Sequence, residues 1–475
     1  MVMGEQTIET QVAVIGGGPG GYAAAFRAAD LGLEVTLINQ EERLGGVCLL
    51  RGCIPAKVFL EVTHLLHDAR QAGDWGLTFD EPDIDLEGLR KRKEKVVGRL
   101  TKGLETLCRQ RDVQLIRARA EFEDAHRLRL QGADVAHVEF EHAILATGST
   151  PISLPGVEFA PGGRVMSTAE ALDVPRIPET LLLVGGGFNG VELGSVYAAL
   201  GSRVTLVEMT EGLLPGVDRD LVKPLARRIE ASYEATHYNT RVTSLKEHDD
   251  GVEVTLEGEG NTAETERFDQ VLVVIGRRPN SQDIGLESTG IERDEQDFVV
   301  VDEEMRTAEE HIFAVGDVVG LPMLAHKAIH QGKVAAGVIA GEPEAFDVRC
   351  VPAVIYTDPQ IAWCGLTEPV AEEEGREVEM GRFSWGASGR ALTMGEPRGL
   401  TKLVFDPEME RVLGVGIVGR GAEDLIAEGA LAIEMGAVAQ DLALTIHPHP
   451  TLSETISEAA QAFLGLATHV LSRRK

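Results

Sequence analysis

Val12-Ala13-Val14-Ile15-Gly16-Gly17-Gly18-Pro19-Gly20-Gly21 reads as a short apolar strand running into a glycine turn, and the alanine-rich stretch from Tyr22 to Ala29 continues it as a helix. The same grammar returns as Leu181-Leu182-Leu183-Val184, then Gly185-Gly186-Gly187-Phe188-Asn189-Gly190, then a helix from about Val191 to Leu200. The copies stand 169 residues apart, and at that offset Leu31-Gly32 falls on Leu200-Gly201 and Val35-Thr36-Leu37 on Val204-Thr205-Leu206. A single GxGxxG is a common turn, whereas two in register, each between a strand and a helix, mark a duplicated βαβ unit. In such a unit the first glycine makes the tight turn, the second lets a pyrophosphate approach the backbone and the third lets helix and strand pack closely. Gly16, Gly18 and Gly21 therefore define one dinucleotide site, and Gly185, Gly187 and Gly190 a second.

The end of the second strand of each unit is where a carboxylate binds ribose hydroxyls. In the second copy it is Glu208, which repels a 2′-phosphate, and Met209-Thr210 offers no arginine to receive one, so NAD is favoured over NADP. In the first copy the position is Asn39, an amide that can bond hydroxyls without charge, with Glu41 as the alternative carboxylate.

Between the two units lies Gly45-Gly46-Val47-Cys48-Leu49-Leu50-Arg51-Gly52-Cys53-Ile54-Pro55-Ala56-Lys57. Its two thiols can close a small redox-active disulfide, provided that the leaving thiolate is stabilised, and Lys57 brings a positive charge to that end. Two packed core thiols fit the spacing equally well. A zinc site would need a second ligand pair at short spacing, which Cys108, Cys350 and Cys364 do not supply, and these three read as packing thiols.

The chain has 475 residues, enough for two to four domains. Its 76 acidic and 45 basic residues give a net charge of -31, which argues against nucleic acid or anionic lipid as partner. Arginine outnumbers lysine 34 to 11; acid surplus with scarce lysine fits adaptation to high salt, and a compositional genome bias explains it as well. Met1 to Thr10 carries no basic segment of a secretory signal, and no apolar run approaches the roughly 20 residues of a membrane helix. The expectation is a soluble, cytoplasmic protein. In a reducing compartment a close cysteine pair is catalytic or metal-binding rather than part of a structural framework.

Two further strands end where a cofactor could lie: Ala143-Ile144-Leu145-Ala146-Thr147-Gly148-Ser149, and Ile312-Phe313-Ala314-Val315-Gly316-Asp317, whose Asp317 can bond hydroxyls or simply cap the strand. With Glu192-Leu193-Gly194 after the second fingerprint and the C-terminal run His447-Pro448-His449-Pro450-Thr451-Leu452-Ser453-Glu454, six ordered motifs stand in one chain. Together they resemble the flavin-dependent pyridine-nucleotide disulfide oxidoreductases nearly end to end, most closely the branch that oxidises dihydrolipoamide.

That resemblance implies an α/β fold with two Rossmann-like dinucleotide-binding domains, for FAD and NAD, and a C-terminal α+β dimerisation domain. The implied boundaries are 1–152 for the first part of the FAD domain, 153–280 for the NAD domain, 281–350 for a central domain completing the FAD region, and 351–475 for the interface domain. FAD, one per subunit and not covalently attached, would contact Gly16, Gly18, Gly21, Asn39, Gly46, Lys57, Ala146, Thr147, Gly148, Asp317 and Ala325. NAD, as co-substrate, would contact Gly185, Gly187, Gly190, Glu192, Glu208 and Gly276. No metal is implied.

By the same resemblance Cys48 is the interchange thiol that meets substrate and Cys53 the thiol whose thiolate forms a charge-transfer pair with the flavin. Lys57 would pair with Glu192. His449 would come from the other subunit of a homodimer as acid and base, oriented by Glu454; a histidine that titrates near neutrality and has a carboxylate partner suits thiol chemistry. His447 reads as structural. The implied reaction oxidises the dihydrolipoyl group of a lipoyl-bearing protein, in a 2-oxoacid dehydrogenase or another lipoate-dependent system, and reduces NAD⁺.

Leu50-Arg51, Ala56, Asn39 and Asn189 depart from the family's usual residues without removing a reacting group. Rival readings are weaker. A glutathione-type reductase would want NADPH and arginines after Glu208, a mercuric reductase a cysteine pair in the tail from Ala462 to Lys475, and an idle flavoprotein subunit would have no need of Cys48, Cys53, Lys57, Glu192, His449 and Glu454 together.

Overall fold

Short, wholly apolar strands alternating with helices must form parallel sheets buried on both faces, because each crossover helix covers the sheet it leaves. A computed structural model describes residues 6–258 and 263–471; the start of the N-terminal segment read above for a targeting signal and the last residues of the cysteine-free tail lie outside that range. In it β1 (Thr7–Ile15) pairs in parallel with β2 (Val35–Asn39) and with His137–Leu145. Gln114–Arg117 extends the sheet beyond β2, and Ile312–Ala314 pairs in parallel with His137–Leu145, so the chain beyond residue 280 returns to complete the first sheet.

The second sheet is parallel throughout, in the order Ala235–His237, Arg203–Val207, Thr180–Val184, Gln270–Val273, Val165–Met166. The duplication is visible in its register: Val12 lies against Val35 in the first sheet, and Leu181, 169 residues on from Val12, lies against Val204 in the second. Between the two sheets, Ser149–Pro151 and Arg277–Pro279 pair as an antiparallel ribbon. The C-terminal part is a five-stranded antiparallel sheet, in the order Ala353–Ile355, Ile361–Gly365, Val412–Val418, Leu400–Phe405, Glu379–Ser384. Its apolar face packs with helices Ala422–Glu434 and Glu454–Phe463 around Phe383, Trp385, Phe405, Ile426 and Ile456. The fold is thus α/β with two dinucleotide-binding sheets and a separate α+β C-terminal layer, as the sequence implies. Among the described residues no helix is long and apolar enough to cross a membrane.

Two contacts set the geometry around the glycine turns. Helix α1 (Pro19–Asp30) and helix Ala325–Ile339 touch backbone to backbone: a Cβ on Gly332 would lie 2.4 Å from the Gly20 carbonyl oxygen. The N-terminus of the second helix is thereby held beside the first fingerprint. Lys402, with no exposed surface, ties the second sheet's layer to the C-terminal one. Its Nζ donates to Asp218, Asp220 and Glu368 at 2.6, 2.7 and 2.6 Å. The three carboxylates hold the ammonium charged and push its pKa up against the opposing effect of burial.

Because removing one partner of a buried ion cluster leaves the others uncompensated, Lys402→Met is expected to cost about 3 kcal/mol, at the low end for buried pairs since Asp220 and Glu368 are partly exposed. Thermal unfolding measures it, and an unchanged midpoint would show that the cluster contributes nothing to holding these layers together.

Candidate active site

The two cysteines sit on consecutive helices. Cys48 lies in α2 (Gly46–Arg51), and Cys53 opens α3 (Cys53–Gln71), with the chain broken at Gly52. α3 forms because Ala56, Phe59, Leu60, Thr63 and Leu66 recur on one face at helical spacing and are buried. That burial fixes the direction in which the first turn, and Cys53 with it, points. Placement at a helix N-terminus favours a thiolate there.

Both cysteines are free thiols in the structure, Cys48 half-buried and Cys53 the more exposed, so the structure presents the dithiol form of the pair. The two side chains hydrogen-bond each other. Donation from Cys48 holds the Cys53 pKa below the ordinary thiol range, with Lys57 adding to the effect and together outweighing the loss of water around the sulfur. The same bond and burial push Cys48 up. Both effects favour negative charge on Cys53 over Cys48. Tyr22, in the first turn after the glycines, feels both thiols; burial first and their charge second push its phenol up to about 12.

Lys57 reaches Glu192 at 2.9 and 3.1 Å and lies 4.1 Å from the centroid of the Tyr356 ring. Glu192 is buried in helix Phe188–Leu200 and also accepts the Tyr356 amide at 2.9 Å. One carboxylate thus joins α3, the helix of the second fingerprint and the first strands of the C-terminal part. Its oxygens are spent on Lys57 and Tyr356, which places Glu192 with the cysteines.

Each glycine turn has the same construction. Gly16 and Gly185 have φ of +112° and +111°, a region that disfavours side chains, and a Cβ on either would lie 2.3 Å from Ala146 O or 2.6 Å from Val274 O. By contrast, a Cβ on Gly18 would meet only the Gly46 Cα at 3.9 Å, and one on Gly187 nothing within 4 Å. Two glycines are closed against the strand while the middle one faces open space, where a diphosphate can approach the backbone.

Asp317 and Ser149 line the first cleft: Ser149 Oγ donates to Asp317 at 2.5 Å, and Arg277 donates to Ser149 Oγ and O at 2.7 and 2.6 Å. Thr147 and Asn280 bond each other's backbone carbonyls at 2.7 and 2.9 Å, pinning Ala146-Thr147-Gly148 in place. Ala325 is the first residue of its helix, and the amide of Gly316 is held by Gln331 at 2.9 Å. Two helix N-termini, open backbone at Gly18 and a carboxylate suited to hydroxyls form a donor set that fits a flavin dinucleotide.

Asn39 bonds the backbone around the first turn. Its Nδ2 donates to the carbonyls of Glu41 and Arg43 at 2.7 and 3.1 Å, and its Oδ1 accepts the Gly17 amide at 3.1 Å. Its donors are used inside the protein, and the residue braces the turn. Glu41, the alternative, pairs with Arg51 of the cysteine loop. Glu208 braces the second turn in the same way, accepting the Gly186 amide at 2.6 Å. It also accepts the Thr210 amide and hydroxyl, both at 2.8 Å, and as a carboxylate it keeps lone pairs for ribose hydroxyls.

His449 is exposed, and its Nδ1 lies 2.9 Å from Glu454 Oε1. Glu454 Oε2 accepts the Thr451 amide at 2.7 Å; burial raises its pKa, but this bond and His449 together outweigh it and hold the carboxylate below its usual range. The charged groups acting on Cys48 include Cys53, Lys57 and Asp317, all of the region around the first cleft. His447 is buried against Glu428 at 2.7 Å and is structural, as read from the sequence. Sequence reasoning did not find Tyr22, Arg277, Ser149 or Tyr356. Adjacency to a fingerprint was a signal for Tyr22, and adjacency to Gly276 for Arg277; Tyr356 carried none.

Residues 10–332 match the family described as pyridine nucleotide-disulphide oxidoreductase, and residues 351–460 match its dimerisation domain. The dihydrolipoyl dehydrogenase of Vibrio parahaemolyticus is 45% identical over 468 residues, 98% of each chain. Dihydrolipoyl dehydrogenase 2 of Haloarcula marismortui is 44% identical over 473 residues, 99% of this chain and 100% of that one. Among solved structures, LpdA from Mycobacterium tuberculosis superposes with a TM-score of 0.88 at 28% identity, covering 95% of this chain and 99% of the other. The HOCl-induced flavoprotein disulfide reductase RclA from Escherichia coli gives 0.82 at 26% identity, with the same coverage.

Lys57 lowers the Cys53 pKa and Glu192 raises it. Lys57→Met is therefore expected to shift the pH profile of Cys53 alkylation by iodoacetamide, in the reduced protein, to higher pH, with Cys48 remaining the slower thiol. An unmoved profile would show that Lys57 does not hold the thiolate.

Proposed function

The chain belongs to the pyridine nucleotide-disulphide oxidoreductases, and from that premise we propose that it is a dihydrolipoyl dehydrogenase, oxidising a protein-bound dihydrolipoyl group to lipoamide while NAD⁺ becomes NADH. The observation that carries the reading is the placement of Cys53 at the N-terminus of α3, one turn from Lys57 and its Glu192 partner, with Gly46 of the cysteine loop against Gly18 of the first glycine turn.

Residues 1–152 and 281–350 form the FAD part, 153–280 the NAD part and 351–475 the partner-facing part. Gly18, Gly46, Lys57, Asp317 and the first turn at Ala325 would hold FAD, which when bound carries electrons from the dithiol to NAD⁺. In the protein's own steps, a substrate thiolate attacks Cys48 Sγ and the Cys48–Cys53 bond breaks. Cys53 leaves as a thiolate into the field of Lys57 and the helix terminus. The second substrate thiol then displaces Cys48, closing the lipoamide ring, and Cys48 leaves as a thiol. His449 takes the proton from the substrate thiol and returns one to Cys48, with Glu454 fixing its tautomer at Nδ1.

A homodimer in which His449 serves the partner's Cys48 is supported by the match to a dimerisation domain, by the exposure of the His449–Glu454 pair and by the exposed apolar side chains of Leu431, Met435, Leu444 and Ile446. The Glu208 carboxylate supports NAD over NADP. A lipoyl domain, itself protein-borne, is the expected partner.

NADH formation from dihydrolipoamide and NAD⁺ by the purified flavoprotein tests the reading, with NADP⁺ and glutathione as controls; turnover with glutathione and NADP(H) alone would overturn it. Neither Cys48→Ser nor His449→Ala should support normal turnover, the latter losing on the order of 10² to 10⁴-fold. If each site takes His449 from the partner subunit, unfolding and refolding these two variants together should restore about a quarter of wild-type turnover, since half of the random dimers then carry one intact site. No restoration would place both residues of a site on one chain.

A further inference from the structure

Beyond the active-site pair, the fold brings two more cysteines together. Strands Ala353–Ile355 and Ile361–Gly365 are antiparallel, with Ala353 opposite Trp363, Val354 opposite Ala362 and Ile355 opposite Ile361. Continuing that register, Cys364 faces position 352, and Cys350 is its diagonal neighbour on the same face. Burial agrees: Ala362 and Cys364 belong to the C-terminal apolar core, and Val354 and Cys350 pack against it. Each thiol lies close enough to act on the other's titration.

We propose that Cys350 and Cys364 form a second redox site, a dithiol that hydroperoxides convert to a disulfide and thiols restore. The roles divide by position. Cys350 is half-buried and lies ahead of the paired strand, with its amide held by Glu434 at 3.1 Å and its sulfur 3.9 Å from the Ala430 carbonyl. It is the thiol a small oxidant can reach, and donation from Cys364 holds it below the ordinary thiol range despite burial and Glu434. Cys364 is buried and keeps its proton, which suits a resolving thiol.

The Cys350 thiolate attacks one peroxide oxygen and the O–O bond breaks; a sulfenic acid forms, and the leaving hydroxide, or the alkoxide of an organic peroxide, takes a proton from solvent to give water or the alcohol. The Cys364 thiol then attacks the sulfenic sulfur, the S–O bond breaks and a second water leaves. Two thiols are oxidised by two electrons and one peroxide is reduced. Closing the bond brings the sulfurs to about 2 Å from each other, and Cys350, outside the hydrogen-bonded ladder, is the end whose side chain shifts. The disulfide pins the chain's entry into the dimerisation region onto that region's own sheet. It is independent of Cys48 and Cys53.

The test uses wild-type enzyme with the active-site disulfide closed, treated with hydrogen peroxide, denatured, and examined by thiol counting and peptide mapping without reduction. Of the five cysteines, three are then free at the start, and the count is expected to fall to one as a Cys350–Cys364 linked peptide appears, lighter by two hydrogens and released by dithiothreitol. Three persisting thiols, or Cys350 oxidised to sulfinic acid with Cys364 still free, would overturn the proposal. Cys364→Ala should accumulate a sulfenic acid at Cys350 that dimedone traps, and labelling of Cys108 instead would overturn the assignment of the attacking thiol. Because the map reads each pair separately, an open Cys48–Cys53 pair would tell against the proposed function without touching this inference.

Discussion

The ion pair between Lys57 and Glu192 joins three layers of the fold. Lys57 belongs to the cysteine helix of the first sheet's layer, Glu192 to the helix that follows the second glycine turn, and the Tyr356 amide that Glu192 also accepts leads into the C-terminal sheet. A buried carboxylate without a partner is expensive, so the three layers are constrained to meet where all its bonds are made. That meeting point lies four residues from Cys53. The charge that satisfies Glu192 is also the one that holds the Cys53 thiolate, so a single ammonium serves both the meeting of the layers and the leaving thiolate.

Two other devices keep the layers in place by different means. The α1 contact at Gly20 and Gly332 is close packing of backbone, in which a side chain has no room. Lys402 inside Asp218, Asp220 and Glu368 occupies with its own ammonium a carboxylate cluster of the kind that elsewhere takes a cation.

Periodicity and repetition carried most of the fold into view. Gly16 and Gly185, Val12 and Leu181, and Val35 and Val204 declare the duplicated unit because backbone turns and strand register are local, and local constraints leave marks at fixed spacing. Cys48, Cys53 and Lys57 were visible for the same reason. What stayed hidden was decided by contacts between distant segments. Nothing near Ser149 announces that Arg277 and Asp317 will reach it, nor does anything near residue 192 announce Tyr356. Asn39 was legible as a position, whereas its bonds to the Gly17 amide and to the Glu41 and Arg43 carbonyls were not, since only the folded loop decides where those groups lie. Cys350 and Cys364, taken as separate packing thiols, became neighbours through strand pairing.

The brace at the second glycine of each turn carries a consequence for how such a chain diversifies. Gly17 is held by an amide and Gly186 by a carboxylate, and the turns they close have nearly the same backbone. Holding the turn needs only an acceptor oxygen, whereas choosing among nucleotides needs its charge. With the two demands separable at one side chain, a duplicated unit can change which nucleotide it favours by a single substitution while its architecture stands unchanged, and two once-identical halves can drift to different cofactors without passing through an unfolded intermediate.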